Sequence, residues 1–340
     1  MVDNPKQDTM SNLNQTNSSP RIWVLVDHRL GNAHQAIELA DAISSNVEIK
    51  NVKYNLLSKL PNCILNFYPL HIKNSILLNL RNQPLPEMII SAGRRTAVLA
   101  LYLKRLTRSK SSVKIIQIMG PDIRSQEFDL VILPEHDTSY YQFAKTTRIL
   151  GALTNIHKKI QASSNDFITH YPYAKNFIAV MIGGSSKGYT MTLETIKILI
   201  HTLSNISKTQ QLPLFITFSR RTPQNIKDYC TKTIGKSNII YDPHNNQCNP
   251  YPGMLGEAKY IVTTIDSISM CSEATGTGLP VYVFCPDNFK LKKHLMFNKS
   301  LIDRKIIKEL SIDIKKLEQY KYHPLTEIKR VAQIVKQEIF

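Results

Sequence analysis

The sequence predicts an α/β protein of two Rossmann-like, parallel-sheet domains facing a common cleft. Three observations predict it. From residue 21 onward, short apolar runs alternate with amphipathic helical segments, which is how a parallel sheet covered by helices reads. The scheme restarts near residue 177 after a polar stretch. The chain has 340 residues, enough for two domains at roughly 100–200 residues each.

In the first half, residues 22–26 read as a strand and 27–32 as its exit loop. Residues 34–44 carry Ile37, Ala40 and Ile43 on one helical face. Residues 88–90 form a second buried strand, followed by Ser91-Ala92-Gly93-Arg94-Arg95-Thr96 and an apolar helix to about residue 106. Residues 114–119 and 129–133 are further strands, ending in Gly120-Pro121-Asp122 and Pro134-Glu135-His136-Asp137-Thr138. The segment 56–80 is unusual, being apolar, broken by Pro61 and Pro69 and flanked by lysines.

In the second half, strand 177–182 leads into Gly183-Gly184-Ser185-Ser186-Lys187-Gly188 and a helix over 191–207. Strand 214–218 leads into Ser219-Arg220-Arg221-Thr222-Pro223 and a helix to about residue 233, with Thr222 as N-cap and Pro223 at N1. Residues 238–241 and 260–264 are strands, and 280–284 closes the pattern after a short helix through Glu273. The stretch 155–173 reads as a weakly structured linker. These readings divide the chain into a polar disordered tail (1–20), an N-terminal domain (21–160), a C-terminal domain (161–315) and a final helical segment (316–340).

Composition excludes several classes. Hydrophobic residues make up 42% and charged residues 20%, so ordinary globular cores are available. No run approaches the ~18 apolar residues of a membrane span, and the first twenty lack the apolar centre of a signal peptide, so the expected location is the cytosol. Cys63, Cys230, Cys248, Cys271 and Cys285 show no C-x-x-C spacing, which argues against a disulfide framework and a zinc site. The net charge of +17 favours polyanionic partners, although an A/T-rich codon bias toward Lys, Ile and Asn gives the same lean. There is no RNA-binding signature and no interleaving of aromatic with basic residues, so nucleic acid is not the expected partner. An anionic membrane surface suits the charge better.

The candidate chemistry lies at strand exits, where doubly wound sheets bind ligands. Gly183, Gly184 and Ser185 follow a buried strand, where backbone N–H groups can approach an anion; the spacing is neither a Walker loop nor G-x-G-x-x-G, and a plain tight turn reads the same way. Arg220 and Arg221 offer guanidinium groups to phosphate or cap a solvated loop. In Asp266-Ser267-Ile268-Ser269-Met270-Cys271-Ser272-Glu273, Ser267 caps a helix and Glu273 lies two turns in, suited to accept hydrogen bonds from vicinal ribose hydroxyls or standing as an ordinary surface glutamate. Asp27, His28 and His136 are candidate general bases. Gly31, Arg94 and Arg95 stand on the acceptor side, the arginines suiting an anionic acceptor or equally standing solvated.

The same residues resemble a known family. Asp27…Gly31…Gln35, Ser91 through Thr96, Phe128-Asp129…Pro134…His136-Asp137, Ile182-Gly183-Gly184, Ser219 through Pro223, Asn249-Pro250-Tyr251 and Thr264 through Gly276 are similar to the mitochondrial fission Elm family and its bacterial relatives, described as glycosyltransferases. The resemblance runs in order over about four-fifths of the chain. Asn32-Ala33-His34 departs from a shorter Gly-His step, leaving His34 without an assigned role. The resemblance implies a GT-B fold in which the second half binds a nucleotide-diphospho-sugar, Glu273 holds the ribose and the first half presents acceptor and base. It implies no metal or other cofactor, because helix termini and basic side chains receive the leaving diphosphate. It also implies that a last helix over 325–337 crosses back to the first domain and that segment 56–80 meets a membrane carrying a lipid acceptor, peripherally and on its inner face. The expected function is thus metal-independent sugar transfer. The alternative is a non-catalytic membrane or division adaptor that keeps the fold. A nicotinamide oxidoreductase is disfavoured, since no dinucleotide fingerprint follows either first strand.

Overall fold

The computed structural model describes residues 19–65, 68–106, 113–123, 126–137, 145–235, 237–244 and 249–339; the predicted disordered tail lies outside them except for residues 19 and 20. Two six-stranded sheets carry the fold, and every strand pair in both is parallel.

The first sheet contains β1 (Ile22–Val26), β2 (Val47–Asn51), β3 (Met88–Ala92), β4 (Lys114–Ile118), β5 (Leu130–Pro134) and β6 (Thr146–Ile149), in the order β2-β1-β3-β4-β5-β6. All five residues of β1, Ile-Trp-Val-Leu-Val, are buried, because helices cover both faces of a parallel sheet. One face is covered by α1 (Leu30–Ile43), which contributes Ala36, Leu39, Ala40 and Ile43. The other is covered by Leu65 at the end of α2 (Asn62–Leu65), by α3 (Asn74–Arg81) and by α4 (Arg94–Arg105). The segment that looked unusual in sequence is therefore a 3₁₀ turn at Leu56–Lys59 followed by these two short helices. It buries Leu65, Leu77 and Leu80 and leaves Leu56, Ile64, Leu70 and Leu78 exposed.

The stretch expected to be a loose linker is instead α5 (Ile156–His170). Asn155 caps it by accepting from the Lys158 N–H at 3.4 Å, and Ile156, Ile160 and Phe167 form its apolar stripe. The polar residues between them hid that period. The second sheet contains β7 (Ile178–Ile182), β8 (Leu214–Phe218), β9 (Ile239–Tyr241), β10 (Tyr260–Thr264), β11 (Val281–Phe284) and β12 (Ile307–Glu309), in the order β12-β11-β10-β7-β8-β9. Its helices are α6 (Leu193–Gln210), α7 (Gln224–Thr233), α8 (Tyr251–Glu257), α9 (Ile268–Gly276) and α10 (Lys292–Asp303). Gly253 and Gly256 let α8 lie close on α5, since a Cβ at either would strike Phe167 or Ile160.

After β12 the chain straps across the second domain. The Tyr320 hydroxyl donates to the Val281 carbonyl at 2.7 Å and Tyr322 to that of Leu279 at 2.8 Å. Then α11 (Glu327–Glu338) returns to the first domain and buries Ile328, Val331, Ala332 and Val335 in the core with α1, as the family resemblance implied.

Each strand order reverses direction at one place, between β1 and β3 in the first sheet and between β7 and β10 in the second. At such a reversal the adjacent loops diverge and leave a crevice at the strand carboxyl ends. The Asp27–Gly31 and Gly93–Arg95 loops flank one crevice, and the Gly183–Ser186 and Asp266–Ser269 loops flank the other. The two crevices meet: a Cβ built on Gly31 would lie 3.8 Å from Ser269 Oγ.

Candidate functional site

A cavity of about 840 Å³ lies between the domains. Its second-domain wall is Arg220, Arg221, Ser267, Ser269, Met270 and Glu273, with Tyr241, Asn249 and Tyr251 beside them; its first-domain wall is His28, Leu30, Gly31 and His34. A second cavity of about 580 Å³ shares Arg221, Ser267 and Ser269 and adds Lys187, Lys292, Lys293 and His294. The N-terminus of α9 thus opens onto both. Ser267 caps α9, its Oγ accepting from the Met270 N–H at 3.4 Å, and the helix end adds a partial positive charge between flanking cations.

Glu273 occupies the floor of the larger cavity. Its Oε1 accepts from Lys159 Nζ at 3.0 Å and its Oε2 from the Tyr251 hydroxyl at 2.8 Å. Burial and then the Glu273 charge push the Tyr251 phenol well above its usual range, so it stays a donor. Burial opposes the charge on Lys159, yet the carboxylates of Glu273 and Glu38 outweigh it and raise the lysine pKa. Each Glu273 oxygen keeps a lone pair for a further donor.

The glycine loop plays a different part from the one expected. The Gly183 N–H donates to Thr264 Oγ1 at 2.8 Å and the Gly184 N–H to Asp266 Oδ2 at 2.8 Å, so neither amide faces the cavity. A Cβ at Gly184 would run into the Arg221–Thr222 backbone, so this glycine serves close packing. Ser185 Oγ accepts from the Met191 N–H at 3.1 Å. Thr222 is not the N-cap of α7, a position held by Pro223; its hydroxyl turns instead to the Ile182 carbonyl at 3.2 Å and to that of Gly183. Arg221 is aimed from this packed corner. It donates to the Ser185 carbonyl at 3.1 Å and pairs with Asp266, which is 2% exposed, at 3.2 Å. Arg220 is exposed on the cavity wall and forms no ion pair among the described residues.

The three candidate bases separate. Asp27 is engaged on both oxygens, by the Arg29 N–H at 2.9 Å and the Tyr54 hydroxyl at 3.0 Å. His136 does not line the cleft. It is 9% exposed and packs on Phe297 at 5.6 Å, and burial, then Lys293, lowers its pKa to about 4. His28 alone of the three is exposed to the cavity. Arg94 is taken up by the Leu60 and Ser58 carbonyls at 3.2 and 3.4 Å, whereas Arg95 faces a separate pocket.

Sequence reasoning assigned no role to Lys159 or Tyr251. Lys159 lies in the segment taken for a linker. The i, i+4, i+11 spacing of Ile156, Ile160 and Phe167 is the signal that would have placed it on a helix. Among the described residues no cluster of His, Cys, Asp and Glu is arranged to hold a metal ion, and no helix is long and apolar enough to cross a membrane.

Comparisons with known proteins agree with this architecture. The family model described as mitochondrial fission ELM1 matches residues 30–339. An uncharacterized protein of Rickettsia prowazekii (strain Madrid E) is 42% identical over 348 residues, covering 93% of this chain and 97% of that protein. Mitochondrial fission protein ELM1 of Arabidopsis thaliana is 28% identical over 281 residues, covering 75% of this chain and 64% of that one. Among solved structures, the UDP-GlcNAc 2-epimerase of Methanocaldococcus jannaschii superposes with a TM-score of 0.58 at 10% identity, over 93% of this chain and 99% of that one. Arabidopsis thaliana UGT89C1 complexed with UDP superposes with a TM-score of 0.52 at 11% identity, over 92% and 90%. The two facing parallel sheets and the returning terminal helix make this a GT-B fold.

Proposed function

The chain belongs to the mitochondrial fission ELM1 family, and on that premise we propose that it binds a nucleotide-diphospho-sugar in the interdomain cavity and transfers the sugar to an acceptor hydroxyl. One observation carries this reading: a single cavity of about 840 Å³ joins Glu273, the α9 N-terminus, Arg220 and Arg221 on one wall to His28 on the other. Glu273 accepts from the two ribose hydroxyls. The diphosphate lies at the amino end of α9, where Ser269 and the two arginines receive its charge. The acceptor oxygen attacks the anomeric carbon from the first domain as the bond to the diphosphate oxygen breaks. The acceptor proton passes to His28 and the electron pair leaves with the diphosphate, inverting the anomeric centre. Similarity in fold to a UDP-GlcNAc 2-epimerase and to a UDP complex supports a uridine diphosphate sugar as donor.

In this reading the protein works against an anionic membrane. Leu56, Ile64, Leu70 and Leu78 are 88, 56, 48 and 56% exposed on one segment, beside exposed Lys53, Lys59 and Lys73.

The adaptor reading draws on one observation as well. Both Glu273 oxygens and both glycine amides already have protein partners, so the site is stable with no ligand in it. Calorimetric titration with UDP and UDP-GlcNAc decides between them. Binding by wild type that is lost in Glu273→Ala supports the transferase. No heat from either nucleotide leaves the adaptor.

A further inference from the structure

A third cavity, of about 560 Å³, opens on the first domain and touches the interdomain cavity at His28, which lines both. Lys53, Tyr54, Asn55, Leu56 and Arg95 form its remaining surface, with Val52 and Ser58. Among the described residues neither Lys53 nor Arg95 forms an ion pair, and the carboxylate beside the cavity, Asp27, is engaged by the Tyr54 hydroxyl and the Arg29 N–H. Arg95 is held in place by stacking, its guanidinium 5.3 Å from the centre of the Tyr54 ring, and its Nε is buried with no hydrogen-bond partner. Tyr54 is fixed in turn: its hydroxyl donates to Asp27 at 3.0 Å, and its ring also stacks on His71, a fully buried ring 5.6 Å away whose Nε2 meets the Arg95 carbonyl oxygen at 2.9 Å. A stacked guanidinium with open donors is built to pair with a planar or tetrahedral oxyanion. Part of the lining is apolar: Leu56 is 88% exposed, and next to it Asn55 bonds the carbonyl of Leu70, itself 48% exposed, at 2.7 Å.

We infer that this cavity is the acceptor site and that the acceptor is an amphiphilic anion, its phosphate or carboxylate on Arg95 and Lys53 and its apolar arm over Leu56 and Leu70, which brings its hydroxyl to His28. The inference rests on the proposed sugar transfer and adds the acceptor class to it.

Four probes separate the features: n-octyl phosphate, octanoate, n-octanol and inorganic phosphate, each titrated by calorimetry into wild type, Lys53→Gln, Arg95→Gln and Glu273→Ala. The expected result is that n-octyl phosphate or octanoate binds at least ten-fold tighter than both n-octanol and inorganic phosphate. That affinity drops at least ten-fold in Arg95→Gln and in Lys53→Gln, whose exposed side chain is dispensable for folding, and persists in Glu273→Ala. Inorganic phosphate or n-octanol binding as tightly as the amphiphiles overturns the inference, as does an amphiphile that binds Lys53→Gln like wild type or binds nothing. UDP titrated into the same proteins keeps the two readings apart: its failure on wild type removes the donor site and leaves the amphiphile result to be judged alone.

Discussion

Lys159 and Glu273 are joined by a 3.0 Å ion pair, and the same ammonium reaches Glu38 at 2.6 Å. Glu38 belongs to α1 of the first domain, Lys159 to the connecting helix and Glu273 to α9 of the second. One lysine therefore ties the floor of the cavity to both domains, and any group that draws Glu273 toward a ligand also draws on this tie.

Removing the tie exposes its value. In Lys159→Met two partly buried carboxylates lose their cation, and stability measured by urea denaturation falls by about 1–3 kcal/mol. Tyr251→Phe is the milder change. It removes one neutral donor from Glu273, so the UDP dissociation constant rises about five-fold, the equivalent of roughly 1 kcal/mol, with little change in the melting temperature. An unaltered constant in Tyr251→Phe would show that the ribose does not use this carboxylate.

Gly184→Ala tests the packing role of the glycine loop. The added methyl meets the Arg221–Thr222 backbone and not a movable side-chain end. We expect a loss of about 1–3 kcal/mol, with weaker UDP binding because Arg221 is displaced. If the methyl left stability intact while UDP binding vanished, the glycine would be touching the ligand directly.

Acid should loosen the domain contact at His136. Its pKa stands at about 4 in the folded protein against 6.5 for an ordinary histidine, because burial and then Lys293 oppose its charge. Between those values the unfolded chain takes up a proton that the folded one does not. The stabilisation is complete above pH 6.5 and is lost as the pH falls toward 4, by at most about 3 kcal/mol. His71 and His294, lowered chiefly by burial, act in the same direction. Thermal melts from pH 7 to 4.5 should fall less steeply in His136→Leu than in wild type, and equal slopes would remove this residue from the account.

Membrane contact is checked by liposome flotation. The protein should float with vesicles containing phosphatidylserine and remain at the bottom with phosphatidylcholine alone, and Leu56→Glu with Leu70→Glu should abolish flotation. Indifference to lipid charge ends the proposal.

The sheet skeleton was legible because strands buried on both faces read as unbroken apolar runs: β1, β8 and β10 fall where the sequence put them. Edge strands β2, β6 and β12 were not, since Val47–Asn51, Thr146–Ile149 and Ile307–Glu309 are half exposed and polar. At the site, Glu273 and the Ser267 cap were readable from one short helix. The roles of Gly183 and Gly184 were not, because the partners that consume their amides, Thr264 at the end of β10 and Asp266 in the loop after it, lie 81 and 82 residues away. A local motif identifies a turn; which way its N–H groups point is decided by the neighbouring strand.

The return of α11 to α1 bears on how the polypeptide matures. Ile328, Val331, Ala332 and Val335 roof an apolar surface formed by residues made some three hundred positions earlier. During synthesis the leading domain emerges with the α11-facing side of α1 uncovered, and it stays so until residues 327–338 have been made. Cutting the gene between the domains would give a first fragment with an uncovered, adhesive flank, and supplying residues 311–340 as a separate peptide is the simplest way to restore it.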